Sequence, residues 1–310
     1  MLLWERPDWP DLRWQDLSRE VSVVASVQTR FAWELDRLGV GVQHAADLVV
    51  EEAAATTNVT GGEVSNVGLL EVLGDATANH DLPMTAQRLL AWHGAVSPDG
   101  GGAWRTTDES RRGLPVHQIP AEVDRFLSWW AAVGPASMLR SGIGLLWMET
   151  IRPFEAHNGI LGRALADTAL AKGERRSRRT YTVSSLIAEN PRGYYTALAQ
   201  AQRGGCDITV WLRWWMRVLV RAVDRASLRL DGADRRRRWV QRTSELKTRP
   251  KDALRRLYDH GERGLTNRAY RSLTGCSAAT ASRDLAQLEG LGFLVRSGAG
   301  GRSTRYDLVI

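Results

Sequence analysis

Apolar residues recur at three- and four-residue spacing along most of the chain, which is the pattern of amphipathic helices. In the first such segment, residues 18–38, the pattern begins at Val21 and ends before Gly39. Similar patterns, or broad apolar runs bounded by Pro or Gly, predict further helices over residues 43–57, 81–93, 122–133, 138–150, 161–172, 184–202 and 208–230. The sequence before residue 234 has no clear alternating strand pattern, so we expect an all-helical body.

The pattern changes after Pro250. Three short helices are predicted over residues 253–260, 265–273 and 277–288, with Ser277 as the N-cap of the third. Two short strand-like segments, 293–296 and 303–308, then flank a glycine-rich tip and predict a β-hairpin. Helices followed by such a hairpin form a winged helix-turn-helix. The predicted fold class is therefore mainly α, a helical bundle followed by a small α+β domain.

These changes predict the domain organisation. Residues 1–80 contain a tryptophan-rich extended segment and the first helices, and residues 81–234 form the helical core. Residues 235–245 form a basic linker that begins with a run of arginines, and residues 246–310 form the winged helix-turn-helix domain.

Charge separates the last part from the rest. From residue 235 onward the chain has 17 Lys and Arg residues against 7 Asp and Glu, whereas the preceding residues have 25 against 28. A basic region attached to a nearly neutral body is typical of nucleic-acid binding, because neutralising phosphates releases counterions. A solvated basic surface would give the same count.

Other classes of protein are disfavoured by the composition. No apolar run approaches the roughly 20 residues that cross a bilayer, and the N-terminal residues do not resemble a secretion signal. We therefore expect a cytoplasmic protein without a membrane partner. Cys206 and Cys276 have no metal-ligand spacing, so we expect reduced, structural cysteines and no zinc site.

The most distinctive residues form a polar loop between two predicted helices. The loop and the start of the following helix read Arg152-Pro153-Phe154-Glu155-Ala156-His157-Asn158-Gly159-Ile160-Leu161-Gly162-Arg163. A helix N-terminus presents backbone N–H groups and the positive end of its dipole to an anion. Asn158 and Gly159 favour a tight turn there, and glycine permits a phosphate to approach the backbone closely.

This loop resembles the motif of the Fic family, His-Pro-Phe-x-Asp/Glu-Gly-Asn-Gly-Arg-x-x-Arg. The resemblance extends to residues 116–120 and 146–151, to the tryptophan-rich N-terminus and to the C-terminal winged helix, as in Fic proteins that carry a DNA-binding tail. It implies a Fic-like helical bundle. Fic proteins typically transfer AMP from ATP to a hydroxyl group of a target protein. Their histidine is the general base, the acidic residue holds magnesium, and the Asn-Gly turn and arginines hold phosphates.

The resemblance also implies that this chemistry is lost, because four motif positions are degenerate. Arg152 stands at the base, Ala156 at the metal-binding acid, His157 at a glycine and Ile160 at the first phosphate-binding arginine. A guanidinium stays protonated and cannot accept the hydroxyl proton. We therefore expect no catalytic residue, metal ion or cofactor. Asn158, Gly159 and Arg163 would form only the remnant of a phosphate site.

A second departure concerns the helix that blocks ATP in Fic proteins through a glutamate in the pattern Ser/Thr-x-x-x-Glu-Gly. The corresponding segment here, residues 56–61, has Thr60 at the position of that glutamate. The resemblance thus implies that Arg163 lacks its usual ionic partner and that the protein is a pseudoenzyme, although Glu63 is close enough in sequence to leave this alignment open by a few positions.

The working activity is then expected in the basic C-terminal domain, as a transcriptional regulator that binds double-stranded DNA, with the helical body supplying dimerisation. Small residues at the start of the third C-terminal helix allow close entry into the major groove. The predicted DNA-binding residues are Ser277, Thr280 and Arg283 in this helix and Arg296, Arg302 and Arg305 in the hairpin.

Two other functions stay open at this point. An active AMP-transferase would use ATP and magnesium through a rearranged loop, with His157 as a displaced base and Glu155 as the metal ligand. A protein-interaction module would instead offer the segment 102–118 to a partner protein without modifying it. Magnesium-dependent ATP binding would favour the first, and copurification that requires this segment would favour the second.

Overall fold

The computed structural model describes residues 2–39, 42–60, 63–108, 113–178, 180–260, 265–297 and 304–309. It divides into two compact units, Met1–Leu228 and Arg229–Ile310. Within the described ranges it contains thirteen α-helices and one two-stranded sheet. None of these helices is long and apolar enough to span a bilayer.

The first unit is helical throughout its described length, apart from loops and two single 3-10 turns. Its helices are α1 (Ser18–Leu38), α2 (Val42–Thr60), α3 (Asn66–Ala78), α4 (Ala86–Val96), α5 (Ile119–Ala131), α6 (Ser137–Ile151), α7 (Asn158–Glu174), α8 (Ser184–Glu189), α9 (Pro191–Arg203) and α10 (Thr209–Thr243), which continues beyond residue 228.

Helices α6 and α7 lie at the centre of this unit. Every residue of α7 from Asn158 to Ala171 is buried, and so is nearly all of α6. A helix that is buried on all sides must be covered by other helices, and this arrangement fixes the two ends of the α6–α7 loop. Glycine permits the close packing: a Cβ atom at Gly162 would lie 2.9 Å from Leu145 Cδ1.

The second unit is a small α+β structure. It contains α11 (Thr248–His260), α12 (Asn267–Thr274), α13 (Ala278–Gly290), β1 (Leu294–Ser297) and β2 (Arg305–Leu308). The strands are antiparallel, with Leu294 opposite Leu308 and Ser297 opposite Arg305. The residues buried in its core include Trp239, Leu254, Leu257, Tyr270, Leu285 and Phe293.

The predicted fold class, a mainly helical body with a small α+β part, is confirmed. The prediction of one helix over 184–202 is wrong, because α8 and α9 are separate. Asn190 caps α9, with its Oδ1 atom accepting a hydrogen bond from Gly193 N at 3.0 Å, and Pro191 is the first residue of the helix. Proline lacks the N–H group that a continuous helix would require at this point.

Two further segments differ from the sequence-based expectation. Helix α3 is not predicted by the pattern; Gly68 lets it approach α4 so closely that a Cβ atom would lie 1.7 Å from Ala95 O. Most of the predicted basic linker, 235–245, lies within α10. Arginine favours helix formation, and Trp239 and Thr243, one turn apart, are both buried.

Candidate functional site

The loop between α6 and α7 is held in shape by its own residues. Arg152 and His157, at its two ends, have left-handed backbone conformations with φ of 46° and 63°. Asn158 Nδ2 donates a hydrogen bond to Phe154 O at 2.8 Å, and Asn158 Oδ1 accepts one from Phe154 N at 3.0 Å. The side chain of Asn158 is therefore used to close the loop.

An aromatic cluster anchors the loop in the core. Phe154 is 1% exposed and stacks on His93, with ring centroids 4.2 Å apart and planes 9° apart. Trp104 packs against the same ring at 4.9 Å. The loop is thus positioned by packing as well as by hydrogen bonds.

A carboxylate of the protein borders the first turn of α7, at the predicted remnant of a phosphate site. A Cβ atom at Gly159 would be 2.5 Å from Glu149 Oε1 and 3.2 Å from Arg163 Nη1, so both side chains border the first turn of α7. Tyr194 Oη donates a hydrogen bond to Glu149 Oε1 at 2.8 Å, and Arg152 Nη1 lies 4.0 Å from Glu149 Oε2. The helix dipole and the nearby cations stabilise a buried carboxylate in this position.

The hydroxyl group of Tyr194, which binds Glu149, stays protonated because of its surroundings. Its side chain is fully buried, and burial raises the pKa of its hydroxyl well above the ordinary value, with a further increase from the charge of Glu149. The hydroxyl therefore stays protonated and acts as a donor to Glu149. Sequence reasoning did not identify Glu149 or Tyr194; the available signal was an isolated acidic residue inside the apolar run of α6.

Arg163 contacts the end of α2. It is 3% exposed, and its Nη2 atom donates a hydrogen bond to Thr56 O at 3.3 Å. Tyr195 Oη donates to Val59 O at 2.9 Å in the same turn of α2. Cations are favourable beside the carbonyl groups at a helix C-terminus. The side chain of Thr60, the predicted degenerate inhibitory position, lies outside the described part of the structure.

Arg105, which sequence reasoning also missed, ties a second segment to the loop. It is 2% exposed, and its N and Nε atoms donate hydrogen bonds to Pro153 O at 2.9 Å and Arg152 O at 2.8 Å. Its Nη1 atom donates to Asp108 Oδ1 at 3.1 Å, and its Nη2 atom donates to Leu114 O. The described parts of the predicted partner-binding segment, 102–118, are thus attached to the loop.

The same segment engages Glu155, the metal ligand considered for a rearranged loop. Glu155 Oε1 accepts hydrogen bonds from Thr106 N at 3.1 Å, Thr107 N at 3.2 Å and Thr107 Oγ1 at 3.2 Å. Among the residues that the structure describes, no three His, Cys, Asp or Glu side chains are grouped to hold a metal ion.

The other positions predicted to be degenerate differ in their surroundings. Ala156 is exposed, and Ile160 is fully buried. His157 is half-buried, with its ring centroid 6.0 Å from that of His93. Burial lowers the pKa of His157, and Asp99 offsets only part of this effect. The imidazole is therefore neutral at pH 7 and able to accept a proton, but the carboxylate of Glu149 already borders the first turn of the helix that follows it.

In the second unit, α13 has one buried and one exposed face. Ala281, Asp284, Leu285 and Leu288 are buried. The exposed residues include Ala278, Ala279, Ser282, Arg283 and Gln287. Ser277 caps the helix, its Oγ atom accepting a hydrogen bond from Thr280 N at 3.3 Å, and Asn267 Nδ2 joins α12 to α13 through Ser282 Oγ at 2.9 Å.

The predicted arginines of the hairpin are placed differently from one another. Arg296 Nη2 lies 3.0 Å from Glu289 Oε2, and its guanidinium lies over the Tyr306 ring at 5.7 Å, so part of its charge is balanced within the protein. Arg305 is exposed on β2. Arg302 lies outside the described residues.

Comparisons with known proteins bear on the fold. Neither a protein-family model nor a curated protein matches this chain. Among solved structures, the chain is similar to a Fic family protein from Desulfovibrio desulfuricans G20, with a TM-score of 0.55 and 16% identity, over 94% of this chain and 95% of that one. At this identity the likeness concerns the fold alone. The chain therefore has a Fic-like fold over nearly its whole length, as the loop predicted.

Proposed function

We propose that this protein is a DNA-binding transcriptional regulator built on a Fic-like fold that has lost its transferase chemistry. The observation that carries the proposal is the exposed face at the start of α13. Ala278 and Ala279 are small enough to let the helix enter a major groove, and Arg283 on the same face reaches base edges or phosphates.

The geometry around α13 supports this function. Helix α12 ends at Thr274, the following Gly275 turns the chain sharply with a φ of 68°, and α13 begins at Ala278. Two helices joined by so short a turn are typical of a helix-turn-helix, in which the second helix reads the DNA. The β1–β2 hairpin that follows would act as the wing.

The charge of the C-terminal region supports contact with the DNA backbone. Residues 235–310 contain 17 Lys and Arg residues against 7 Asp and Glu. Arg268 and Arg271 in α12 are exposed, as are Arg283 in α13 and Arg305 in β2. Such a surface supplies the salt-dependent part of DNA affinity, whereas Arg283 would contribute to sequence preference.

The loop of the first unit supports the loss of transferase chemistry. Its base position is Arg152, and the carboxylate of Glu149 borders the first turn of α7. A phosphate entering there would be repelled by this carboxylate and would have to displace it. In the proposed regulator, the first unit contributes to homodimerisation, which would place two DNA-binding units on two half-sites.

The test is selection of DNA sequences by the full-length protein from a random library, followed by fluorescence anisotropy over a salt series. We expect a selected sequence whose affinity falls as salt increases. Arg283→Ala should weaken binding by about 1–3 kcal/mol and relax one base preference, whereas Arg305→Ala should mainly reduce the salt dependence.

A matched control is Arg217→Gln, which removes an exposed arginine of the first unit and should leave DNA affinity unchanged. The proposal is wrong if no sequence is enriched and no duplex binds at low salt. It is also wrong if DNA binds but neither the Arg283→Ala nor the Arg305→Ala variant changes the affinity.

A further inference from the structure

The second unit contains a cavity of about 280 Å³ between the end of α10 and α11. The residues that line it are Arg236, Trp239, Val240, Thr243, Lys251, Arg255 and Tyr258. None of them belongs to α12, α13 or the hairpin, so the cavity is separate from the proposed DNA-reading face.

Two aromatic rings form much of the apolar wall. Trp239 is 4% exposed, and Tyr258 is half-buried beside it, with ring centroids 4.7 Å apart and planes 30° apart. Val240 adds an aliphatic surface. Walls of this kind favour a flat, apolar group, because offset or tilted ring contacts are more favourable than contact with water.

The remaining lining is strongly basic. Arg236, Lys251 and Arg255 border the cavity. The guanidinium of Arg236 lies over the Tyr258 ring at 5.4 Å, which holds its charge beside the apolar wall. Several cations around an apolar pocket attract an organic anion, and their effect is larger there than in bulk water.

A buried donor provides a third, independent indication. The Nε1–H group of Trp239 is buried and has no hydrogen-bond acceptor among the residues that the structure describes. Buried tryptophan N–H groups usually have an acceptor, and an unpaired one calls for an explanation. An oxygen atom of a bound anion would provide that acceptor.

We propose that this cavity binds a small aromatic carboxylic acid. Its ring would lie against Trp239 and Tyr258, and its carboxylate would accept hydrogen bonds from Lys251, Arg255 and the Trp239 indole. The volume is slightly below the range of about 300–1,000 Å³ that is usual for drug-sized ligands, so the ligand has one or two rings. The binding goes beyond the proposed DNA-binding function and does not require it.

The experiment is calorimetric titration of the full-length protein, without DNA, with benzoate, 1-naphthoate and indole-3-carboxylate. Benzamide tests the need for the charge, and acetate tests the need for the ring. We expect at least one of the ring acids to bind, with benzamide and acetate about tenfold or more weaker, because each lacks one of the two recognised features.

Variants locate the binding. Lys251→Met and Arg255→Gln should each weaken the best acid about tenfold, since each removes a charge-assisted hydrogen bond. Arg235→Gln, which changes an exposed arginine outside the cavity lining, is the matched control and should bind normally. In a ¹H–¹⁵N spectrum, the Trp239 indole resonance, assigned by its loss in Trp239→Phe, should move when the acid binds.

Three results would overturn the proposal. The ring acids could bind no better than acetate, or the best acid could bind equally well to the Lys251→Met and Arg255→Gln variants. Alternatively, a short DNA duplex could shift the Trp239 indole resonance while none of the acids does. The last result would assign these cations to a DNA-contacting surface.

Discussion

The guanidinium of Arg249 in α11 binds the carboxylate of Asp284 in α13 at two points, with Nε 2.8 Å from Oδ2 and Nη2 3.2 Å from Oδ1. Tyr270 Oη in α12 donates a hydrogen bond to the same Oδ2 at 2.8 Å. Asp284 therefore joins all three C-terminal helices. Burial favours a higher pKa for Asp284, but the hydrogen bonds from Arg249 and Tyr270 outweigh it, and the pKa is lower than usual.

Replacement of this carboxylate is expected to loosen the C-terminal helices. Asp284→Asn should reduce their local stability by about 1–3 kcal/mol, because the buried Tyr270 hydroxyl and Arg249 lose a charged acceptor. Hydrogen exchange of peptides from α12 and α13, measured at pH 7, is the appropriate readout because the protein has two units. Asp252→Asn, at an exposed position of α11, is the control.

The same contact predicts a pH dependence. Since the folded-state pKa of Asp284 is lowered, its contribution is fully present above the unfolded pKa of about 3.9 and is lost as pH falls through the folded value. The difference between wild type and Asp284→Asn should therefore shrink in acid. A constant difference down to the acid transition would contradict this account.

The close approach of Gly159 to Glu149 makes a second prediction. In Gly159→Ala, the new Cβ atom would lie 2.5 Å from Glu149 Oε1, which Tyr194 holds in place. We expect destabilisation of about 1–3 kcal/mol in urea unfolding, as for other overpacked sites. Gly74→Ala is the control, because a Cβ atom there meets nothing within 4 Å, and alanine is the better helix former.

A double-mutant cycle identifies the cause. If the cost of Gly159→Ala arises from contact with the carboxylate, it should be smaller in a Glu149→Ala background, with a coupling energy of about 1 kcal/mol or more. Equal costs in the two backgrounds would mean that Glu149 does not lie against this turn.

Local sequence signals predicted much of the fold. Gly39 ends α1 in a left-handed conformation, and Ser277 caps α13, because such caps satisfy backbone groups of the adjacent turn. Helix α3 escaped prediction because Gly68 and Gly74 weaken the helical signal. The need for a glycine at position 68 arises from its close contact with Ala95, which lies on another helix.

The candidate site was less predictable, because its key contacts join distant parts of the chain. The loop residues Asn158 and Phe154 are neighbours in sequence, and their turn follows from local chemistry. Glu149 contacts Tyr194 on α9, Arg152 in the loop and the first turn of α7. No periodicity within residues 146–151 reveals that this one acidic side chain borders the first turn of α7.

The position of Glu149 predicts how the protein responds to nucleotides. We expect magnesium and ATP together to give no saturable binding up to about 1 mM in calorimetry, because the carboxylate repels phosphate. Glu149→Gln keeps a similar shape and removes that charge beside Arg152, so this variant should bind pyrophosphate more tightly than wild type. Magnesium-dependent ATP binding by wild type, or transfer of its label to any protein, would favour the transferase alternative instead.

The ring cluster beside the loop predicts a further dependence on pH. Burial lowers the pKa of His93, with hydrogen bonding to Gly101 O offsetting part of the effect, and burial also lowers the pKa of His157. His93 Nδ1 lies 2.9 Å from Gly101 O, so the neutral ring donates there, and its face stacks on Phe154. Both rings are therefore better accommodated when neutral.

Because both folded-state pKa values are lowered, the unfolded chain binds these protons first as the solution is acidified. The stability contribution is present above the unfolded pKa of about 6.5 and is lost as pH falls through the folded values.

Tryptophan fluorescence during urea unfolding reports the first unit, since all of the 13 tryptophans except Trp239 precede residue 229. His157→Asn, which tolerates the left-handed backbone, should lose less stability than wild type between pH 7.5 and 5.5. His117→Gln, at an exposed histidine, should behave as wild type, and an unchanged pH dependence in His157→Asn would contradict the assignment.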